Sequence, residues 1–95
     1  MAAGYNQMLE LLEQTKLFLA VSEESDWAPL MPQEVIGIID SEIASLHSQG
    51  RFENALKLAA LFAPTASIQE IAMANGWDEP FLVLADRFDR ALELL

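Results

Sequence analysis

His47 is the one histidine of the chain, in SLHSQG, and imidazole is the side chain whose charge changes near neutral pH without outside help. A general base needs its partners in a defined arrangement, and no Ser/His/Asp pattern with recognisable flanking residues accompanies it. A lone histidine near a helix C-terminus serves instead as a favourable partner of the helix dipole. The acidic run EESD, Glu23 to Asp26, lacks the alternating ligands and central glycine of a calcium loop. No pair of Glu-x-x-His elements is present for a di-iron bundle. Four glycines spread over the chain build no phosphate-cradling loop. The absence of cysteine excludes disulfides and thiolate metal sites. These residues predict no catalysis, no metal and no cofactor.

The two tryptophans carry a different chemistry. Trp27 precedes APLMP in the first long connection, and Trp77 sits in the turn before the last helix. A large aromatic in a connection either closes the core or anchors a partner, and tryptophan is enriched among binding hot spots. Leu30 and Met31 extend the first site; Asp78, Glu79 and Phe81 extend the second. Methionine adapts to irregular surfaces in either role. The candidate partner-binding set is Trp27, Leu30, Met31, Trp77, Asp78, Glu79 and Phe81.

The stretch from Ser67 to Phe88, SIQEIAMANGWDEPFLVLADRF, has the form of a helix-turn-helix. Ala72 is small where two helices would meet, Gly76 falls in the turn, and Ile68, Ile71, Leu82 and Ala85 would make the contacts between them. Duplex DNA binding through the unit 67–92 is the alternative function this pattern suggests. The charges oppose it. The second helix of that motif puts its first residues on the bases, and here they read Asp78, Glu79, Pro80, Phe81. Phosphate contacts supply much of the affinity of DNA binders, and Asp86 and Asp89 flank Arg87 and Arg90.

The elements that must position these residues read as all-α. Met8, Leu9, Leu12 and Leu19 recur at helical spacing over about 5–22, and good helix formers dominate that stretch. SEESDWAPLMP breaks it, with Pro29 and Pro32 restricting their predecessors. Pro32 suits a first helical turn. Val35, Ile36, Ile39, Ile43 and Leu46 then continue one stripe to a stop at Gly50. A third helix is expected from about Arg51 to Phe62, with Phe52, Leu56, Ala59 and Phe62 inward and Pro64 behind it. Ser67 and Glu70 have the spacing of a capping box for a short fourth helix, closed by Gly76. Asp78 is expected to cap the last helix, whose inner face is Phe81, Leu84, Ala85, Phe88 and Leu92. Leu82, Val83, Leu94 and Leu95 lie off that face, so a second subunit covering this helix, in a symmetric homodimer, is also expected. The whole is a single helical domain, 1–95, a compact bundle of four longer helices and one short one whose last pair is helix-turn-helix-like.

Composition supports a binding role. Hydrophobic residues are 53% of the 95, above the usual figure of about 45–50%, and surplus apolar surface on a small domain marks a binding face. Fifteen acidic and five basic residues leave a net charge of −10. The imbalance runs through every third of the chain, so no basic arm awaits nucleic acid or anionic lipid. The same field attracts a basic partner, while on the plainer view it only keeps an apolar protein dissolved. Glu10 and Glu13 interrupt the first apolar run and no basic segment precedes it, so residues 1–20 do not read as a signal peptide. The longest apolar stretches are too short to cross a bilayer. The expectation is a small acidic cytoplasmic module, of adaptor, immunity or inhibitor type, that acts by binding another protein.

Overall fold

The computed structural model describes residues 4–95, and all its regular structure is helical: α1 (Tyr5–Ala20), α2 (Pro32–Gln49), α3 (Ala55–Leu61), α4 (Ser67–Asn75) and α5 (Asp78–Leu94). The body measures 38 × 22 × 20 Å. Helix α1 lies between α2 and α5, α4 bridges α5 and α2, and α3 leans on α2. The long helices alternate in direction. Tyr5 of α1 meets His47 at the far end of α2, and Gly4 abuts Ala91 and Leu94 at the far end of α5. The loop 21–31, the start of α2 and the turn into α5 therefore gather at one end of the bundle.

One core runs through all five helices. Met8, Leu11, Leu12 and Leu19 of α1 face Val35, Ile39, Ile43 and Leu46 of α2 and Phe81, Leu84, Phe88 and Ala91 of α5. Phe62 stacks on Phe88 with centroids 4.5 Å apart. Ile68, Ile71 and Ala72 of α4 are fully buried, so Ala72 is indeed where α4 meets its neighbours. Buried polar groups are satisfied, as burial demands: Thr15 Oγ1 donates to the Leu11 carbonyl at 2.7 Å. Among the described residues no buried side-chain polar atom lacks a partner.

Helix α2 follows its sequence closely. Pro32 opens it, Gly50 closes it in the left-handed conformation, and the Glu34 carboxylate accepts the Met31 N–H at 3.0 Å. Helix α1 ends at Ala20, two residues short of expectation, because Ser22 turns its hydroxyl back to the Phe18 carbonyl at 2.7 Å and so competes with a further turn.

Helix α3 departs most. It begins at Ala55 and not near Arg51. Asn54 caps it, its Oδ1 accepting the Lys57 N–H at 3.0 Å. The Asn54 N–H donates to Glu42 of α2 at 2.9 and 3.3 Å, and Ser45 Oγ donates to the Arg51 carbonyl at 2.9 Å. These ties from α2 hold 51–54 out of the helix. The new register exposes Leu56, expected inside, and buries Leu58 and Leu61.

Two predicted caps are also corrected. Ser67 is the first residue inside α4, buried, and no side chain caps that helix. The Gln69 side chain instead accepts the Thr65 N–H at 2.6 Å. Asp78 lies within the first turn of α5 and makes no capping bond; it and Glu79 favour that end through the dipole alone. Leu82 is exposed and not packed against α4, and on the last turns of α5 it is Ala91 that is fully buried, with Leu92 half-covered.

Candidate partner-binding surface

The two tryptophans part company. Trp77 is 5% exposed and Trp27 is 83% exposed. The Trp77 indole stacks on Phe18 with centroids 4.8 Å apart and planes inclined by 19°, and its Nε1–H donates to Ser22 Oγ at 2.8 Å. An indole so placed satisfies both its apolar body and its polar tip. Phe81, four residues on, is also buried. Both residues, expected among the anchors, belong to the core and present no surface to a partner. Nothing near Trp77 in the sequence reveals this, because its two partners are Phe18, in the last turn of α1, and Ser22, just beyond that helix.

The turn that carries Trp77 is bolted to the start of the 21–31 loop. Gly76 closes α4 at φ 80°, a conformation glycine adopts freely, and the Trp77 N–H reaches the Ala72 carbonyl at 2.9 Å. Asn75 then pairs with the backbone of Glu23: Asn75 Oδ1 accepts the Glu23 N–H at 2.9 Å and Asn75 Nδ2 donates to the Glu23 carbonyl at 2.8 Å. Asn75 is the last residue of α4, and its side chain carries the join.

From Glu23 the loop is held by local turns. The Trp27 N–H donates to Ser25 Oγ at 3.3 Å, the Ala28 N–H to the Ser25 carbonyl at 3.2 Å, and Met31 to Glu34 as above. Leu30 and Ala28 pack partly on the core, which leaves Trp27 and Met31 outside, Met31 half-exposed. Of the apolar residues expected as anchors, Trp27 and Met31 are exposed, Leu30 is partly buried, and Trp77 and Phe81 are in the core.

Acidic residues share this end of the bundle. Glu23, Glu24, Asp26 and Glu34 come from the loop and the first turn of α2, and Asp78 and Glu79 from the turn that Asn75 and Trp77 fasten beside it. Segments 21–34 and 75–86 contain no lysine or arginine. The five bases lie elsewhere, and three of them are engaged: Arg87 donates to Gln14 at 3.1 Å and Glu10 at 3.4 Å, Arg90 pairs with Asp86 at 3.0 Å, and Lys16 bridges Asp40 and Glu13. The hydrogen bond to Asp40, assisted by the charges of Asp40 and Glu13, holds the Lys16 ammonium above its ordinary value of 10.5.

At the opposite end of the bundle the Tyr5 hydroxyl and His47 Nδ1 are hydrogen-bonded to each other at 3.0 Å. Between α2 and α3 a polar cavity of about 630 Å³ is lined by Glu34, Ser41, Glu53 and Lys57 among others. Among the described residues no three His, Cys, Asp or Glu side chains gather as metal ligands, and no helix is long and apolar enough to cross a membrane. Comparison with protein-family models, with curated proteins and with solved structures finds no match.

Proposed function

We propose that this protein is an interaction module that binds a basic protein partner through the end of the bundle carrying Trp27 and Met31, without catalysis and without a cofactor. The observation that carries this reading is Trp27, 83% exposed on a loop whose backbone is tied down on both sides. An exposed tryptophan forgoes a large burial gain in the free protein, and a loop already fixed in shape has less ordering entropy to lose on binding. The surrounding carboxylates supply long-range attraction and discrimination in favour of a cationic surface. An indole face also attracts lysine and arginine directly. A cytoplasmic setting fits a chain that relies on no disulfide.

The helix-turn-helix-like pair does not compete well with this reading. Its second helix opens with exposed Asp78 and Glu79, where a DNA reader needs donors facing phosphates and base edges. Pull-down from host lysate after nuclease treatment, with the wild type beside a Trp27→Ala/Met31→Ala variant, tests the proposal. Both positions are exposed, so the variant keeps the core. A specific protein lost with the variant supports it. Recovery of nucleic acid alone in the untreated sample supports the DNA-binding alternative and sinks it.

A further inference from the structure

The crease between α1 and α5 changes character along its length. Near Gly4 it is polar, closed by Arg87 reaching Gln14 and Glu10. Toward the acidic end it becomes apolar and open. Leu17, one turn after the Gln14 that Arg87 reaches, and Val21, just past the end of α1, stand 70% and 84% exposed, and with Gln14 and Phe18 they line a shallow cavity of about 490 Å³ whose wall is α1 alone. Val83 sits one turn before Arg87 on the same side of α5 and is 59% exposed. The helices run antiparallel, so Val83 comes level with the turn after Gln14. Beyond Val21 the chain runs into exposed Glu23 and Glu24, and exposed Glu79 stands one turn before Val83 on α5.

We infer that this half of the crease seats an amphipathic, cationic helix of the partner, apolar residues down between Leu17, Val21 and Val83 and lysines or arginines over the acidic end. The inference rests on the binding role proposed above and names the partner's form. A helix fits because the apolar residues here stand on helices, α1 and α5, whose backbone groups are already bonded within themselves. An extended segment would find no edge to pair with, whereas a helix arrives with its own bonds made. Leu17 and Val21 are one turn, about 6 Å, apart. The matching ligand therefore carries two or three apolar residues at i, i+3 or i+4 spacing, followed by basic ones. A second copy of this chain is disfavoured as occupant. Pairing two such creases would set two base-free acidic ends side by side.

Two amidated 15-residue probes test this: a leucine/lysine peptide with its leucines on one helical face, and the same composition scrambled so that no face forms. Titration calorimetry gives the affinities, and methyl shifts of Leu17, Val21 and Val83 give the location. The expected result is at least about tenfold tighter binding of the amphipathic probe, and a similar loss with Leu17→Ser/Val21→Ser, whose sites are exposed and leave the fold intact. Leu56→Ser, an equally exposed position on α3, should change nothing. Equal affinity for both probes, or no effect of the crease variant, overturns the inference. So does a doubled sedimentation mass of the free protein that the crease variant abolishes, because the seat would then belong to a second copy. Loss with Trp27→Ala/Met31→Ala but not with the crease variant also overturns it, while leaving the loop reading in place.

Discussion

Ser22→Ala removes one oxygen atom, and the structure says what that oxygen does. It accepts the Trp77 Nε1–H at 2.8 Å and donates to the Phe18 carbonyl at 2.7 Å. Trp77 is 5% exposed, so its indole N–H stays buried and loses its acceptor. An orphaned buried donor costs about 1–3 kcal/mol, more than a typical net hydrogen bond contributes. For a domain of this size each kcal/mol lowers Tm by roughly 4–8 °C, which puts the expected drop between about 4 and 24 °C. Urea denaturation followed by far-ultraviolet circular dichroism measures the free energy directly. Trp77→Phe supplies the control, since phenylalanine keeps the stack on Phe18 and has no N–H to orphan. In that background Ser22→Ala should cost under about 0.5 kcal/mol, so that the coupling between the two sites falls in the range of about 0.5–3 kcal/mol usual for contacting residues. A Ser22→Ala cost below about 0.5 kcal/mol in the wild type, or the same cost in both backgrounds, would refute the reasoning that fixes this end of the bundle.

Further outcomes follow from other contacts. Gly4→Ala should destabilise by at least about 1–3 kcal/mol, because φ is 87° and a Cβ would lie 2.7 Å from Leu94 Cβ and 2.8 Å from the Ala91 carbonyl oxygen. Gly37→Ala, inside α2 with nothing within 4 Å of the added carbon, should raise stability by about 0.5–1 kcal/mol in the same urea titration. Glu42→Ala should cost about 1–3 kcal/mol by freeing the Asn54 N–H, and Glu42→Gln, which keeps an acceptor oxygen, should cost less; amide exchange in α3 reports where the loss falls. The folded Lys16 is raised above 10.5, so the folded state binds the proton more tightly than the unfolded chain does. Its contribution is complete below pH 10.5 and is lost as pH rises through the raised folded value. The wild-type urea midpoint should therefore fall more steeply above pH 10.5 than that of Lys16→Met, and parallel curves would dismiss the Lys16–Asp40 bridge as a contributor.

What could be read from the sequence was what depends on near neighbours. Helix α2 has an unbroken stripe from Val35 to Leu46 between a proline that opens helices and a glycine that closes them, and its bounds follow. The left-handed turn at Gly76 is equally local. The start of α3 is not, because Glu42, twelve residues earlier, takes the Asn54 N–H and Ser45 takes the Arg51 carbonyl. Without those partners Arg51 to Asn54 read as ordinary first-turn residues. Ser67 and Glu70 had the spacing of a cap, but burial of Ser67 in the core claimed the residue for packing. The tryptophans make the same point for the site. Each stands in a connection beside acids and near a proline. What separates them is Ser22, 55 residues from Trp77 in the chain, and the face of Phe18. Only the folded bundle brings those to Trp77 and leaves Trp27 outside, and only Asn75 reaching across to Glu23 makes the acids of the loop and of the α5 turn into one surface.

The central claim is that Trp27 touches a partner protein. A photoreactive amino acid placed at position 27, and in a second preparation at position 56, tests it most directly, since Leu56 is 84% exposed against 83% for Trp27 and so controls for accessibility. After irradiation in nuclease-treated lysate, the account predicts a discrete protein adduct from position 27, weakened by added salt, and none from position 56. Equal adducts from both positions, or none from position 27, would contradict it.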